Sequence, residues 1–178
     1  MRVFLIMVLV LSAASYCVAQ ESTAERLRRV EESLQVKDFR TEIDILRQAQ
    51  RELKDILETD PSSLFRSQIE ADLDRVNEKL GYHDLQVAAF YMAKSHSLRG
   101  AQSRLRNIAQ NYPKFWKMDE VLFRLSVVST ANKEEKEAAE YSWKLICNYP
   151  NSEYVRPAFE KLNQIGVSAW EGCQKYPR

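Results

Sequence analysis

The sequence predicts an all-α fold, a right-handed α-solenoid of short helix pairs, and three observations predict it. The phrase Asn-Tyr-Pro occurs at Asn111-Tyr112-Pro113 and again at Asn148-Tyr149-Pro150, 37 residues apart. That is near the period of repeats built from two antiparallel helices, with proline closing the second one. Apolar residues recur at steps of three and four along most of the chain, the signature of one buried helical face. Glycine and proline are scarce, four and five in 178 residues, which suits long helices and argues against a turn-rich β fold.

The helices follow in order. Residues 21–35 form the first, with Thr23 as cap and Leu27, Val30 and Leu34 on one stripe. A second stripe is Phe39, Ile43, Leu46, Leu53 and Leu57, interrupted by Gln50. The phase slips between the two stripes, so a turn or kink falls at 36–38; a single long curved helix is the alternative. Asp60-Pro61 stops the second helix. Ser62 or Ser63 starts the next, with Phe65, Ile69, Leu73, Val76 and Leu80 as its stripe and Gly81 supplying a left-handed end. A separate helix then carries Leu85, Ala88, Ala89 and Met92 to about Ser95. Its partner carries Leu98, Ala101, Leu105, Ile108 and Tyr112. Met118, Leu122, Leu125 and Val128 mark the next helix, and Ala131-Asn132-Lys133 is a turn. The helix over 133–148 is apolar on two sides, as an internal solenoid position requires. The last helix carries Val155, Ala158, Phe159, Leu162 and Ile165, is capped by Asn151-Ser152, and ends at Gly166; Trp170 is a candidate to dock the tail. No strand is expected.

Met1-Arg2, the apolar run over 3–11 and the small residues before Gln20 have the form of a secretory signal over 1–19, cut after Ala19. An uncleaved anchor is the alternative, although about ten apolar residues fall short of the ~20 that span a bilayer. A lipidated Cys17 is a further reading, disfavoured because bulky Tyr16 stands where a small residue is wanted. The domain organisation is then signal 1–19, a helical lead-in with a degenerate repeat over 20–60, repeats over 61–166 and a tail over 167–178. Without the signal, 25 basic and 25 acidic residues remain, and a neutral chain lacks the footprint for nucleic acid. Membrane contact is expected only if Cys17 is lipidated or the signal stays uncleaved. In the exported chain Cys147 and Cys173 either pair as a disulfide or remain as thiols.

The run Lys79-Leu80-Gly81-Tyr82-His83-Asp84-Leu85-Gln86-Val87-Ala88-Ala89-Phe90-Tyr91, followed by Arg99-Gly100-Ala101, Arg104-Leu105, Asn111-Tyr112-Pro113 and Tyr149-Pro150-Asn151-Ser152, resembles the BamD/YfiO-type outer-membrane assembly factors, which are tetratricopeptide-repeat lipoproteins. The likeness spans about 53–165. It departs from the family where Lys94-Ser95-His96-Ser97 lacks a glycine, where the residues before Cys17 make a poor lipobox, and in length, so the chain reads as a truncated or divergent member keeping the later three repeats. The resemblance implies a non-catalytic periplasmic scaffold or adaptor whose C-terminal repeats dock on barrel-associated envelope proteins. A tetratricopeptide coordinator of cell-wall or Tol–Pal-like machinery is the alternative. The expected localisation is the periplasm, possible attachment to the outer membrane resting on Cys17.

No catalytic, cofactor or metal site is expected. His83 and His96 stand 13 residues apart, without a metal-ligand spacing, and the four glycines are isolated. A cell-wall hydrolase would need a cleft carboxylate and further chain to build the cleft. The candidate partner-binding residues are Tyr91, Arg104, Phe115, Trp116 and Arg124. Aromatic and Arg anchors are common at interfaces, and core packing or solvated helix faces are the competing roles. Adjacent Phe115 and Trp116 cannot both face the core, so one ring faces outward.

Overall fold

The computed structural model describes residues 23–35, 42–93, 97–167 and 173. Every regular element among them is helical: α1 (23–34), α2 (Glu42–Thr59), α3 (Arg66–Ala93), α4 (Leu98–Asn111), α5 (Met118–Ala131), α6 (Glu135–Asn148) and α7 (Val155–Gln164). The fold is a tetratricopeptide-like array of helices. The chain divides into two compact units, 1–80 and 81–178, and α3 contributes its first half to one and its second half to the other. The signal and Cys17, the expected kink at 36–38, Phe39, His96 and Trp170 all lie outside the described residues.

In the first unit α1 buries Leu27 and Val30, and α2 buries Leu46, Ala49, Leu53 and Ile56. Steps of three, four and three centre the α2 face on Leu53. The expected stripe through Ile43 and Leu57 is therefore rotated: both are half-buried, while Ile56 is fully enclosed. Gln50, which interrupted that stripe, donates from Nε2 to Asn77 Oδ1 of α3 at 2.5 Å. Arg26 of α1 reaches Glu52 and Asp55 of α2, at 2.6 and 2.5 Å. Gln68 of α3 donates to Glu31 of α1 at 2.6 Å. Each pair of helices in this unit is thus joined by a polar tie beside its apolar contact. The Thr23 hydroxyl donates to Asp60 at 2.9 Å.

The break expected at Gly81 does not occur. α3 runs unbroken for 28 residues, twice the length of α4, α5 or α6, which have 14 each. A left-handed C-terminal residue needs positive φ, and among the described glycines only Gly166 has it. An internal glycine costs a helix about 1 kcal/mol relative to alanine, and no proline follows Gly81 before Ala93. The helix therefore propagates through it. Gly81 is buried, and the Phe115 ring lies where its side chain would be: a Cβ would meet Cδ2 at 2.8 Å.

The second unit stacks α4, α5, α6 and α7 beside the end of α3. α5 is the most enclosed helix, burying Met118, Val121, Leu122, Leu125 and Val128 together with Ser126 and Ser129. The two-sided burial expected of α6 is present, through Ala138, Trp143, Leu145, Ile146 and Cys147. Small Ser126, Ser129 and Ser142, all fully buried, let neighbouring backbones approach. Trp143 meets Phe159 of α7 edge-on at 6.1 Å. α5 and α7 end on the same motif: Lys133 N–H donates to Thr130 and Glu134 N–H to Ser129, and Gly166 N–H donates to Asn163 and Val167 N–H to Leu162. This is the Schellman arrangement. Gly166 has φ 72° and Lys133 has φ 63°, so a lysine occupies a position that favours glycine.

One inter-helix turn is built three times. Tyr112 and Tyr149 close their helices with φ −128° and −130°, donating to Ile108 and Leu145. Asp60 N–H donates to Ile56 in the same way. Proline follows in all three. Then the N–H of Ser63, Phe115 and Ser152 returns to Asp60, Tyr112 and Tyr149, and the N–H of Arg66, Met118 and Val155 returns to Ser63, Phe115 and Ser152. The first two prolines lie 52 residues apart and the second pair 37. The excess of 15 is about four turns of helix, and the doubled length of α3 accounts for it.

Candidate protein-docking surface

Polar ties fix the second unit's helices before any surface residue is considered. Asp84 of α3 is buried and accepts from Arg104 Nη1 at 2.9 Å and Asn107 Nδ2 at 2.8 Å, both on α4. Gln102 of α4 is also buried: its Nε2 donates to Ser129 Oγ at 3.1 Å and to Glu137 Oε2 at 3.2 Å, with Glu134 closer still, and its Oε1 accepts from Asn132 at 2.8 Å. Arg106 grips the Glu137 carboxylate with Nε at 3.0 Å and Nη2 at 2.5 Å. Tyr141 donates to Glu137 at 3.0 Å. Burial acts to raise the Glu137 carboxyl, but the hydrogen bonds from its neighbours, Arg106 foremost, outweigh it and bring the group below the ordinary carboxylate range. Burial, then the Glu137 charge, pushes the Tyr141 phenol up to about 12. These bonds fix the register of α4 against α5 and α6 with every named group matched.

Against this frame the five candidate residues separate. Arg104 is spent on Asp84. Tyr91 is half-buried, its ring 3.4 Å from where a Gly100 side chain would begin. Phe115 is only 3% exposed, packed on Gly81, and belongs to the core. Its neighbour Trp116 is 67% exposed, so the outward ring of the pair is Trp116. Arg124 lies one face along α5, bound to Glu120 through Nε at 2.8 Å and Nη2 at 2.7 Å.

The arrangement contains residues that sequence reasoning missed. Lys117 reaches the other Glu120 oxygen at 3.2 Å and sits 4.8 Å above the Trp116 ring. Glu120 is buried beneath these two cations. Phe123 stacks on Tyr154 at 5.1 Å, and burial, then Glu120, raises the Tyr154 phenol. The signal for Lys117, Glu120 and Arg124 was present as charges at steps of three and four on one helix. The surface is an exposed indole just before α5 with Lys117 over its ring, and the carboxylate that holds Lys117 also holds Arg124 farther along the helix. Of the histidines, His83 stands half-exposed with Nδ1 3.7 Å from Asp84. Among the described residues there is no group of three or more His, Cys, Asp or Glu placed to hold a metal. No described helix is long and apolar enough to cross a membrane. Cys147 of α6 and Cys173 are joined by a disulfide, with Cα atoms 5.5 Å apart.

Helix pairs and repeated closing turns define a tetratricopeptide-like, all-helical fold. A family model described as YfiO, outer membrane lipoprotein, matches residues 14–142. That is more than half of the chain, and the chain belongs to this family, whose proteins act in envelope assembly. The match begins well before residue 53, where the sequence resemblance was expected to start, and ends within α6. It therefore includes the 20–60 lead-in and leaves out the second Asn-Tyr-Pro phrase. Comparison with curated proteins gives no match.

Proposed function

We propose that the chain is a non-catalytic periplasmic scaffold that holds envelope proteins during outer-membrane protein assembly. Membership of the outer membrane lipoprotein family supports the setting. The observation that carries the mode of action is Trp116, exposed on an inter-helix turn with Lys117 over its ring, Lys117 and Arg124 both being held by Glu120. An indole on a rigid turn loses little entropy on binding, and aromatic and Arg side chains dominate binding hot spots. The partner offers an apolar pocket for the ring with an acidic rim for the two cations. In this reading the export signal, the repeat region and the short tail follow the organisation set out from the sequence, with Cys17 the residue to examine for lipid.

Affinity capture from detergent-solubilised envelopes of the native host tests the reading, using the full mature protein and its Trp116→Ala variant. The wild-type protein is expected to recover outer-membrane barrel-assembly components identified by mass spectrometry. The variant, equally folded, recovers them at least severalfold less. Recovery of no barrel-assembly component, or robust hydrolysis of purified cell wall, overturns the proposal. Recovery of cell-wall or Tol–Pal-like components alone would transfer the scaffold to that machinery.

A further inference from the structure

Lys117 stands where a cation is disfavoured. It is the capping residue at the N-terminal end of α5, and a helix N-terminus carries partial positive charge. Its ammonium nevertheless stays beside the helix: Nζ lies 3.2 Å from Glu120 Oε2 and 4.8 Å from the centre of the Trp116 ring. A carboxylate and a π face together hold it there.

Glu120 is the fixed end of this arrangement. It is buried, and Arg124 of the next helical turn takes its Oε1 with Nε at 2.8 Å and Nη2 at 2.7 Å. Its N–H donates to Asp119 Oδ1 at 2.8 Å, and Asp119 Oδ2 accepts from Ser152 of the following inter-helix turn at 2.7 Å. Trp116 is the opposite case. It is 67% exposed, and a ring so placed has several staggered rotamers open to it. A buried ion pair is a weak source of stability, often no better than apolar packing. Orientation of the ring is what this carboxylate adds.

We propose that Glu120 is a positioning residue of the docking surface: through Lys117 it holds the Trp116 indole in one orientation. The consequence for binding rests on the docking reading above; the positioning itself does not. A ring already ordered loses less freedom when a partner closes on it. A cation–π contact at an exposed site shifts such a population by about two- to fivefold. The ammonium also covers one π face, so a partner group meets the indole from one side.

The test compares the mature protein with its Glu120→Gln, Lys117→Met and Trp116→Ala variants. In NMR spectra of the isotope-labelled protein, the indole ring current is expected to place the Lys117 ε-methylene upfield of the other lysines. Glu120→Gln and Trp116→Ala each return it to the ordinary position. In fluorotryptophan-labelled protein, Glu120→Gln and Lys117→Met shift the Trp116 fluorine resonance alike, and the double variant shifts it no farther than either alone. Capture of envelope partners falls about two- to fivefold in both single variants. Glu120→Gln makes the surface more positive and Lys117→Met less so. An effect of net charge alone therefore moves the two captures in opposite directions, while lost positioning lowers both. Should Glu120→Gln fail to fold, Lys117→Met, which keeps the side-chain stem, carries the fluorine and capture arms. Four results overturn the proposal: an ordinary Lys117 signal in the wild-type protein, an upfield signal that survives Glu120→Gln, additive fluorine shifts, or variant captures that stay at the wild-type level or move oppositely. Undiminished capture by Trp116→Ala overturns the docking reading instead, and the lysine and fluorine signals then decide the positioning.

Discussion

Replacing Gly81 by alanine tests how the core of the second unit is closed. In an ordinary helix interior the change stabilises by about 1 kcal/mol. Here the added methyl would stand 2.8 Å from Phe115 Cδ2, 3.1 Å from Cε2 and 3.2 Å from Cγ. Three ring atoms are crowded together, so no rotation of one flexible end relieves the contact. The ring also cannot retreat with its backbone, because Phe115 N–H is bound to Tyr112 at 2.9 Å and its carbonyl to Met118 at 3.0 Å. Overpacking of this kind costs about 1–3 kcal/mol. The net effect of Gly81→Ala is therefore a loss of up to about 2 kcal/mol. In a Phe115→Leu background the crowding is relieved and the same change should stabilise by about 1 kcal/mol, giving a coupling of about 1–3 kcal/mol across the double-mutant cycle. Urea unfolding followed by tryptophan fluorescence is a suitable assay, since Trp116 and Trp143 belong to the second unit and the sequence has no tryptophan before residue 116. A gain of about 1 kcal/mol in both backgrounds, with no coupling, would refute the packing argument.

Other outcomes follow from the same physical reasoning. Leu105→Ala and Leu145→Ala remove fully buried side chains and should each cost ~2–5 kcal/mol by the same fluorescence assay, with Leu122→Ala nearer the lower end. Lys133→Gly relieves the left-handed lysine at the end of α5 and should stabilise by about 1 kcal/mol in thermal unfolding. Reducing the Cys147–Cys173 bridge, 26 residues apart, should cost about 3 kcal/mol in the chain-entropy description, seen as a lower thermal midpoint with reductant. Tyr141 adds a pH dependence: its phenol is raised from 10.0 to about 12, so the unfolded chain ionises first. Its stabilisation is complete below the unfolded value and is lost as pH rises through the folded one. Glu137→Gln should move the Tyr141 titration, read from tyrosinate absorbance, part of the way back, because burial remains.

Local periodicity made the helices legible, and it failed where a decision depended on distant residues. Gly81 carries the local marks of a helix end, and only the Phe115 ring packed against it shows why the residue is glycine. The same contact decides which of Phe115 and Trp116 is buried, a choice the dipeptide leaves open. The turn at Asp60 shares its proline with both sisters but Ser63 only with Ser152 of the third, the second having Phe115 there, too little for sequence alone, because its identity lies in backbone hydrogen bonds that many side chains permit. Gln102 and Glu137 meet across 35 residues, a pairing that no short window contains. Buried Asp72 was hidden in the opposite way: it neighbours the apolar stripe of α3, where a carboxylate reads as a boundary residue. Of the candidate docking surface, Arg124 and one unspecified ring of the Phe115-Trp116 pair were legible, while Lys117 and Glu120 passed as ordinary helix-face charges.

The thrice-built turn has a consequence for how such proteins diversify. Its hydrogen bonds run through the backbone of the closing residue, the third residue beyond it and the sixth. The side chain at the fourth residue points away from the helices and takes no part in them. That position holds Leu64, 79% exposed, Trp116, 67% exposed, and the exposed Glu153: one aliphatic, one aromatic and one acidic group on the same chassis. Mutation can rewrite what each junction presents to solvent while leaving the helix ends intact, so recognition can drift at these sites without passing through an unfolded intermediate sequence.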